Sequence, residues 1–156
     1  MLSYDLVDHI ADSHNPVLGA LWLALCLFPI SKLQWRASVA RVLLGLACLL
    51  VAYGMMWLDG AIHVWHAVGL DYSTHTAVAT AMVITLAVMS PRAGLIAFGL
   101  LCLYVPLMLY QRYHTLGDIL STAVVVAPLC AVIGRVLRDK TRMRSAKPVM
   151  KWLREV

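Results

Sequence analysis

Residues 114–137 read His114-Thr115-Leu116-Gly117-Asp118 followed by ILSTAVVVAPLCAVIGRVL, and this stretch decides the fold. No side chain between Asp118 and Arg135 carries a charge. A helix needs about twenty mainly apolar residues to cross a hydrocarbon core, and this run supplies them. Pro128 lies inside it, where a membrane helix tolerates a kink. Ionisable groups at membrane depth are costly, so His114 and Asp118 at the mouth of the run are functional candidates from the start.

Outward from this stretch, apolar runs recur at 17–30, 39–58, 73–89, 93–110 and 116–137, the first closed by Ser31-Lys32 and the shortest of the five. Pro91 ends the third, and Pro106 falls within the fourth. Of the 156 residues 62% are hydrophobic and 13% charged, with a mean hydropathy of +0.80. A soluble domain carries about a quarter charged residues. The alternating strands of a membrane β-barrel are absent. The expected fold is all-helical: a polytopic membrane protein with about five transmembrane helices in a single integral membrane domain, 1–156.

The chain begins Met1-Leu2-Ser3-Tyr4-Asp5, an acidic start unlike a secretory signal. Leu2, Leu6, Val7 and Ile10 fall on one helical face, with Asp5, Asp8 and Asp12 off it, so 1–15 reads as a short helix on the membrane surface, or else as a frayed polar tail. Cys26, Cys48, Cys102 and Cys130 all lie in apolar runs without metal or disulfide spacing, and read as small buried hydrophobes.

Charge sets the expected orientation. With five spans, Lys32, Arg36, Arg41, Arg92 and every basic residue from Arg135 onward fall on one side, twelve of the thirteen; Arg112 alone falls on the other. The positive-inside rule makes the crowded side cytoplasmic. The N-terminus and the connections 59–72 and 111–117 are then extracytoplasmic, in an inner or plasma membrane. All six histidines and six of the eight acidic residues sort to that outer side. The basic tail 139–156, with Val149, Trp152 and Leu153 interleaved, is expected on anionic cytoplasmic lipid rather than on nucleic acid.

Two outer segments carry the chemistry. His114 and Asp118, four apart, share a helical face. A carboxylate there can take the proton on one imidazole nitrogen and leave the other free to attack; the alternative is an interfacial pair that caps the helix. The second segment is Asp71-Tyr72-Ser73-Thr74-His75-Thr76. The first-turn N–H groups of a helix point at an anion, the Ser73 and Thr74 hydroxyls add donors, and His75 can protonate a leaving oxygen. The alternative is a Ser/Thr cap beside an incidental histidine.

Together the segments resemble the type 2 phosphatidic acid phosphatase superfamily, which carries a Ser-Gly-His turn at one span and His-x-x-x-Asp at a later one. Asp71-Tyr72 before Ser73, Thr76 after His75, and Tyr113-His114-Thr115 are similar to the sphingomyelin synthase branch. The resemblance covers the second to the fifth run. Thr74 stands where the family has glycine, and the upstream Lys-x6-Arg-Pro motif is missing. So is the Ser-Arg before the second histidine, where Met108 stands six residues ahead of His114. What the resemblance implies is a helical bundle of that family's type and an enzyme needing no metal or cofactor. His114 would be the nucleophile, Asp118 its partner and His75 the proton donor, with Ser73, Thr74, Arg112 and Tyr113 around a lipid phosphate or phospholipid. Few cations leave two enzymatic readings, hydrolysis of a lipid phosphate ester or diphosphate and transfer of a headgroup to an acceptor alcohol.

His63-Val64-Trp65-His66, with Asp59 and Asp71 near, supports a third reading, a metal- or proton-handling membrane protein. The plainer reading is an amphipathic interfacial segment with Trp57 and Trp65 at headgroup level, and another makes it a lid over the site. The small core leaves room for a homodimer.

Overall fold

The computed structural model describes residues 4–27 and 35–152, most of 4–11 and all of 139–152 by backbone only. The helices are α1 Tyr4–Leu27, α2 Trp35–Ile62, α3 Thr74–Met89, α4 Pro91–Tyr110 and α5 Leu116–Trp152, with a 3₁₀ turn at His66–Val68. Three segments are long and apolar enough to cross a membrane by length and composition: Trp35–Ile62, Pro91–Tyr110 and Leu116–Arg138. The protein is therefore an integral membrane protein. Its outer surface agrees: Leu50, Trp57, Leu95, Leu103 and Val124 are exposed by 71–74%. Such a surface belongs in lipid.

Three is fewer than the five spans expected, and the two differences have physical reasons. α3 has 16 residues; it rises about 24 Å, against a hydrocarbon core of about 30 Å. It is the central helix, packed against α1, α2, α4 and α5. Thr76, Ala77, Ala79, Thr80, Ala81, Met82, Val83, Thr85 and Leu86 bury it nearly all round. A helix apolar on every side belongs inside a bundle, and its alanines and threonines let neighbouring backbones come close. α1 is a single helix that runs through Pro16, where a separate surface helix and a span were expected. Its acidic half precedes an apolar stretch at 17–27 that is about half a span. Residues 28–30 of the expected first span lie outside the described residues, as do the apolar side chains at the extreme N-terminus and those of the basic tail; the backbone of 139–152 continues α5 as helix.

Ser90 joins α3 to α4. Its N–H closes α3 onto Leu86 O, and its Oγ accepts from Ala93 N at 3.4 Å. Pro91 thus opens α4 at the position where its missing N–H costs nothing, two residues before the expected start. A Cβ on Gly94 would overlap the Ala87 backbone, so α3 and α4 cross in near-contact. Cys26, Cys48 and Cys130 are buried as read, but Cys102 faces outward from α4.

Candidate active site

The two histidine segments meet at one end of the bundle, and the first turns of α3 and α5 hold them there. Ser73 is the N-cap of α3: its Oγ accepts from Thr76 N at 3.3 Å and lies 2.8 Å from Thr76 Oγ1. Ser at this position satisfies a first-turn donor that helix geometry leaves unpaired. Ser73 is fully buried, so its hydroxyl serves the cap, not an exposed phosphate cradle as the sequence reading had it. Thr74, the first helical residue, is half-buried.

α5 starts with a reciprocal cap. Asp118 Oδ2 accepts from Thr115 N at 2.7 Å, and Thr115 Oγ1 accepts from Asp118 N at 3.3 Å. This is a capping box with aspartate in the usual Glu/Gln place. The other oxygen, Oδ1, accepts from Asp71 N at 2.8 Å. One turn on, Thr122 Oγ1 accepts from Ser73 N at 3.1 Å. Asp118 and Thr122, both buried, therefore grip 71–73 from one face of α5.

His114 Nδ1 stands 3.9 Å from Asp118 Oδ2. That is within ion-pair range and too long for a hydrogen bond. The carboxylate was expected to take the imidazole proton; here both its oxygens go first to backbone N–H groups, and buried Nδ1 has no hydrogen-bond partner. Partial burial holds the His114 pKa below its ordinary 6.5; Asp118 and Asp71 pull it up and His75 pushes it down. The same balance puts His75, Asp71 and Asp118 within electrostatic reach of His114. The free imidazole is therefore neutral at neutral pH, with its nucleophilic lone pair available.

His75 is exposed on the first turn of α3, and its carbonyl accepts a long hydrogen bond, 3.4 Å, from Asn15 Nδ2 of α1. Arg112 and Tyr113 are exposed in the turn after α4. Arg112 sits at φ 58, a left-handed position where helices usually end on glycine.

The 63–72 connection departs from its interfacial reading. Trp57 is exposed as expected, but Trp65 is buried. Its Nε1 donates to Ser121 Oγ at 3.0 Å, its backbone N donates to Asp59 Oδ1 at 2.8 Å, and its ring meets Tyr72 edge-on at 4.9 Å. Tyr72 OH in turn donates to Ala52 O at 2.7 Å. An indole with a hydrogen-bond partner is stable in a bundle interior, which is why the residue type alone misled. His63 and His66 are exposed, with ring centroids 6.5 Å apart. Among the described residues no three His, Cys, Asp or Glu side chains gather as a metal-binding group.

Sequence reasoning passed over Thr122 and His14. Thr122 continues the four-residue spacing of His114 and Asp118, a readable signal. His14 stacks on Tyr104 of α4, centroids 4.1 Å apart and 3° from parallel, and no local pattern announces that contact.

No family model matches this chain, and no curated protein or solved structure matches it.

Proposed function

We propose that the protein is a membrane-embedded lipid phosphatase, hydrolysing a lipid phosphate ester or diphosphate through a phosphohistidine intermediate. The observation that carries the reading is the hydrogen bond from Asp71 N to Asp118 Oδ1, which ties the start of one histidine segment to the end of the other. His114, facing Asp118 with Nδ1, attacks phosphorus through Nε2. The ester P–O bond breaks, and the leaving alkoxide takes a proton from His75. Water then attacks the phosphohistidine and gives a proton to His75; the P–N bond breaks and phosphate leaves. Asp118 balances the charge that develops on His114, and Arg112 with first-turn N–H groups of α3 stabilises the phosphoryl oxygens.

The charge sorting supports an extracytoplasmic site in an inner or plasma membrane, with α3 inside the bundle and α1 on its outer side as the remaining two spans. Headgroup transfer to an acceptor alcohol is a second reading, favoured by the scarcity of cations: Arg112 is the only Lys or Arg that the charge sorting places at this end. The burial of Trp65 gives the His63–His66 connection a packing role and weakens the metal-handling reading.

The test is mass spectrometry of lipids incubated with purified protein and with His114→Ala. Dephosphorylated lipid with free phosphate, absent in the variant, is the expected result. A headgroup-exchanged lipid without free phosphate replaces hydrolysis by transfer, and identical products from both proteins remove the enzymatic reading.

A further inference from the structure

A cleft of about 260 Å³ opens between α2, α3 and α5 at the end of the bundle away from the histidines. α3 rises about 20 Å between His75 and Met89, so this cleft is no part of the site above. Ala40, Leu44, Val88 and Leu137 line it, and Arg41 and Arg138 stand on its wall. The chain shapes the cleft deliberately at two points. Gly134 lets α5 close onto α3, since a Cβ there would come within 2.7 Å of Val88 Cγ2. Arg41 is positioned from α1: its Nη1 donates to Leu25 O at 2.6 Å, and its own carbonyl accepts from Trp22 Nε1 at 3.3 Å.

We infer that this cleft binds an anionic phospholipid, with an acyl chain in the apolar groove and the phosphate on Arg41 and Arg138. A groove lined by aliphatic side chains at a lipid-facing surface loses dispersion contacts unless something as apolar as a lipid tail fills it. Pockets that enclose a whole small ligand run about 300–1,000 Å³, so this volume suits part of one chain. Guanidinium groups bind phosphate through paired N–H donors. Charge complementarity selects the headgroup: among the described residues Arg36, Arg41, Arg92, Arg135 and Arg138 all lie toward this end. A zwitterionic lipid shares the groove term and gains little from that field; a soluble phosphate shares the field and not the groove. The inference stands apart from the catalytic reading, since neither His75 nor His114 takes part.

Native mass spectrometry of the full-length protein in neutral detergent tests it, comparing phosphatidylglycerol, phosphatidylcholine of the same acyl chains, and soluble glycerol phosphate. Phosphatidylglycerol is expected to be retained over phosphatidylcholine, and Arg138→Gln to lower its retention about fivefold, the worth of one basic residue near anionic lipid. Arg138 is exposed, so this variant tests the inference without disturbing the core. Ala40→Phe, which fills the groove, is expected to lower retention of both lipids. Equal retention of the two lipids, or no effect of Arg138→Gln, overturns the inference. Competition by glycerol phosphate as strong as that of the lipid overturns it in favour of a soluble-anion site.

Discussion

At the histidine end Asp118 accepts from two backbone N–H groups on two different segments; at the arginine end Arg41 donates to one carbonyl, Leu25, and stands on the wall of an apolar cleft. The first is a closed polar knot, the second a polar wall on an open groove. The difference follows from what each end must satisfy. α3 and α5 both begin at the histidine end, and helix starts present unpaired donors that buried acceptors must take up. A carboxylate, a threonine and a serine do this from within the bundle. At the other end α2 and α4 begin, and the polar groups are met locally: Ser90 Oγ accepts from Ala93 N and Arg41 Nη1 donates to Leu25 O, while exposed Arg36 and Arg92 are long enough to reach the lipid surface. One end is built to hold backbone still, the other to meet a headgroup.

Replacing His114 by Ala breaks the comparison most sharply. Turnover is expected to fall on the order of 10⁴-fold, while thermal unfolding in detergent stays close to wild type. A variant that unfolds early would give His114 a structural role instead. Asp118→Ala reverses the pattern. It leaves the N–H groups of Asp71 and Thr115 without their acceptor, and stability should drop by about 3 kcal/mol; an unchanged melting temperature would mean the knot does not hold the motifs. Gly94→Val tests whether the α3–α4 crossing positions both ends. Overpacking there is expected to cost about 1–3 kcal/mol, read from the same unfolding curves.

The pH profile sharpens the electrostatic side. Because the His114 pKa is held below 6.5, the acid limb of activity should lie below pH 6.5. The sign for stability is the same: above 6.5 the neutral imidazole costs nothing, and as pH falls through and below 6.5 the unfolded chain takes up a proton that the folded chain resists, so stability is lost. His75→Gln removes a neighbour that pushes this pKa down, and the acid limb should move up; a limb that stays put would separate the two histidines. The smallest effect is expected from Arg112→Gly. Glycine relieves the left-handed backbone, raising stability by about 1 kcal/mol, and activity should fall by at most about 10²-fold with loss of the phosphate contact. A gain in stability without any loss of activity would remove Arg112 from the site.

Local pattern was enough to place most helices. The expected 73–89, 93–110 and 116–137 differ from α3, α4 and the start of α5 by two residues at most, because Ser73, Ser90-Pro91 and Thr115 are capping residues that stop and start helices by short-range chemistry. The site was legible as two segments for the same reason, and spacing alone puts Asp118 and Thr122 on one face of α5; His114, expected on that face, precedes the Thr115 cap and lies in the turn outside the helix. What was not legible is where each polar atom goes. Trp65 reads as an interfacial residue by type and is buried because Ser121, far along the chain, offers an acceptor. Ser73 reads as a phosphate ligand, but its buried hydroxyl is engaged by Thr76 while Thr122 Oγ1 accepts from its backbone N–H. Continuity of α1 through Pro16 was also out of reach, because a proline alone does not say whether a helix bends or ends.

By itself, then, the amino-acid order determined a helical membrane protein, the starts of its later helices, and the sorting of histidines to one end and basic residues to the other. Those properties depend on periodicity, capping and charge, all of which act within a few residues or along one axis. Tertiary structure alone decided that the shortest helix is the central one, that Asp118 holds Asp71 before it faces His114, and that a cleft opens beside Arg41 and Arg138. Each depends on which faces of distant helices come into contact, and on which of several competing partners a buried donor or acceptor finds once they do.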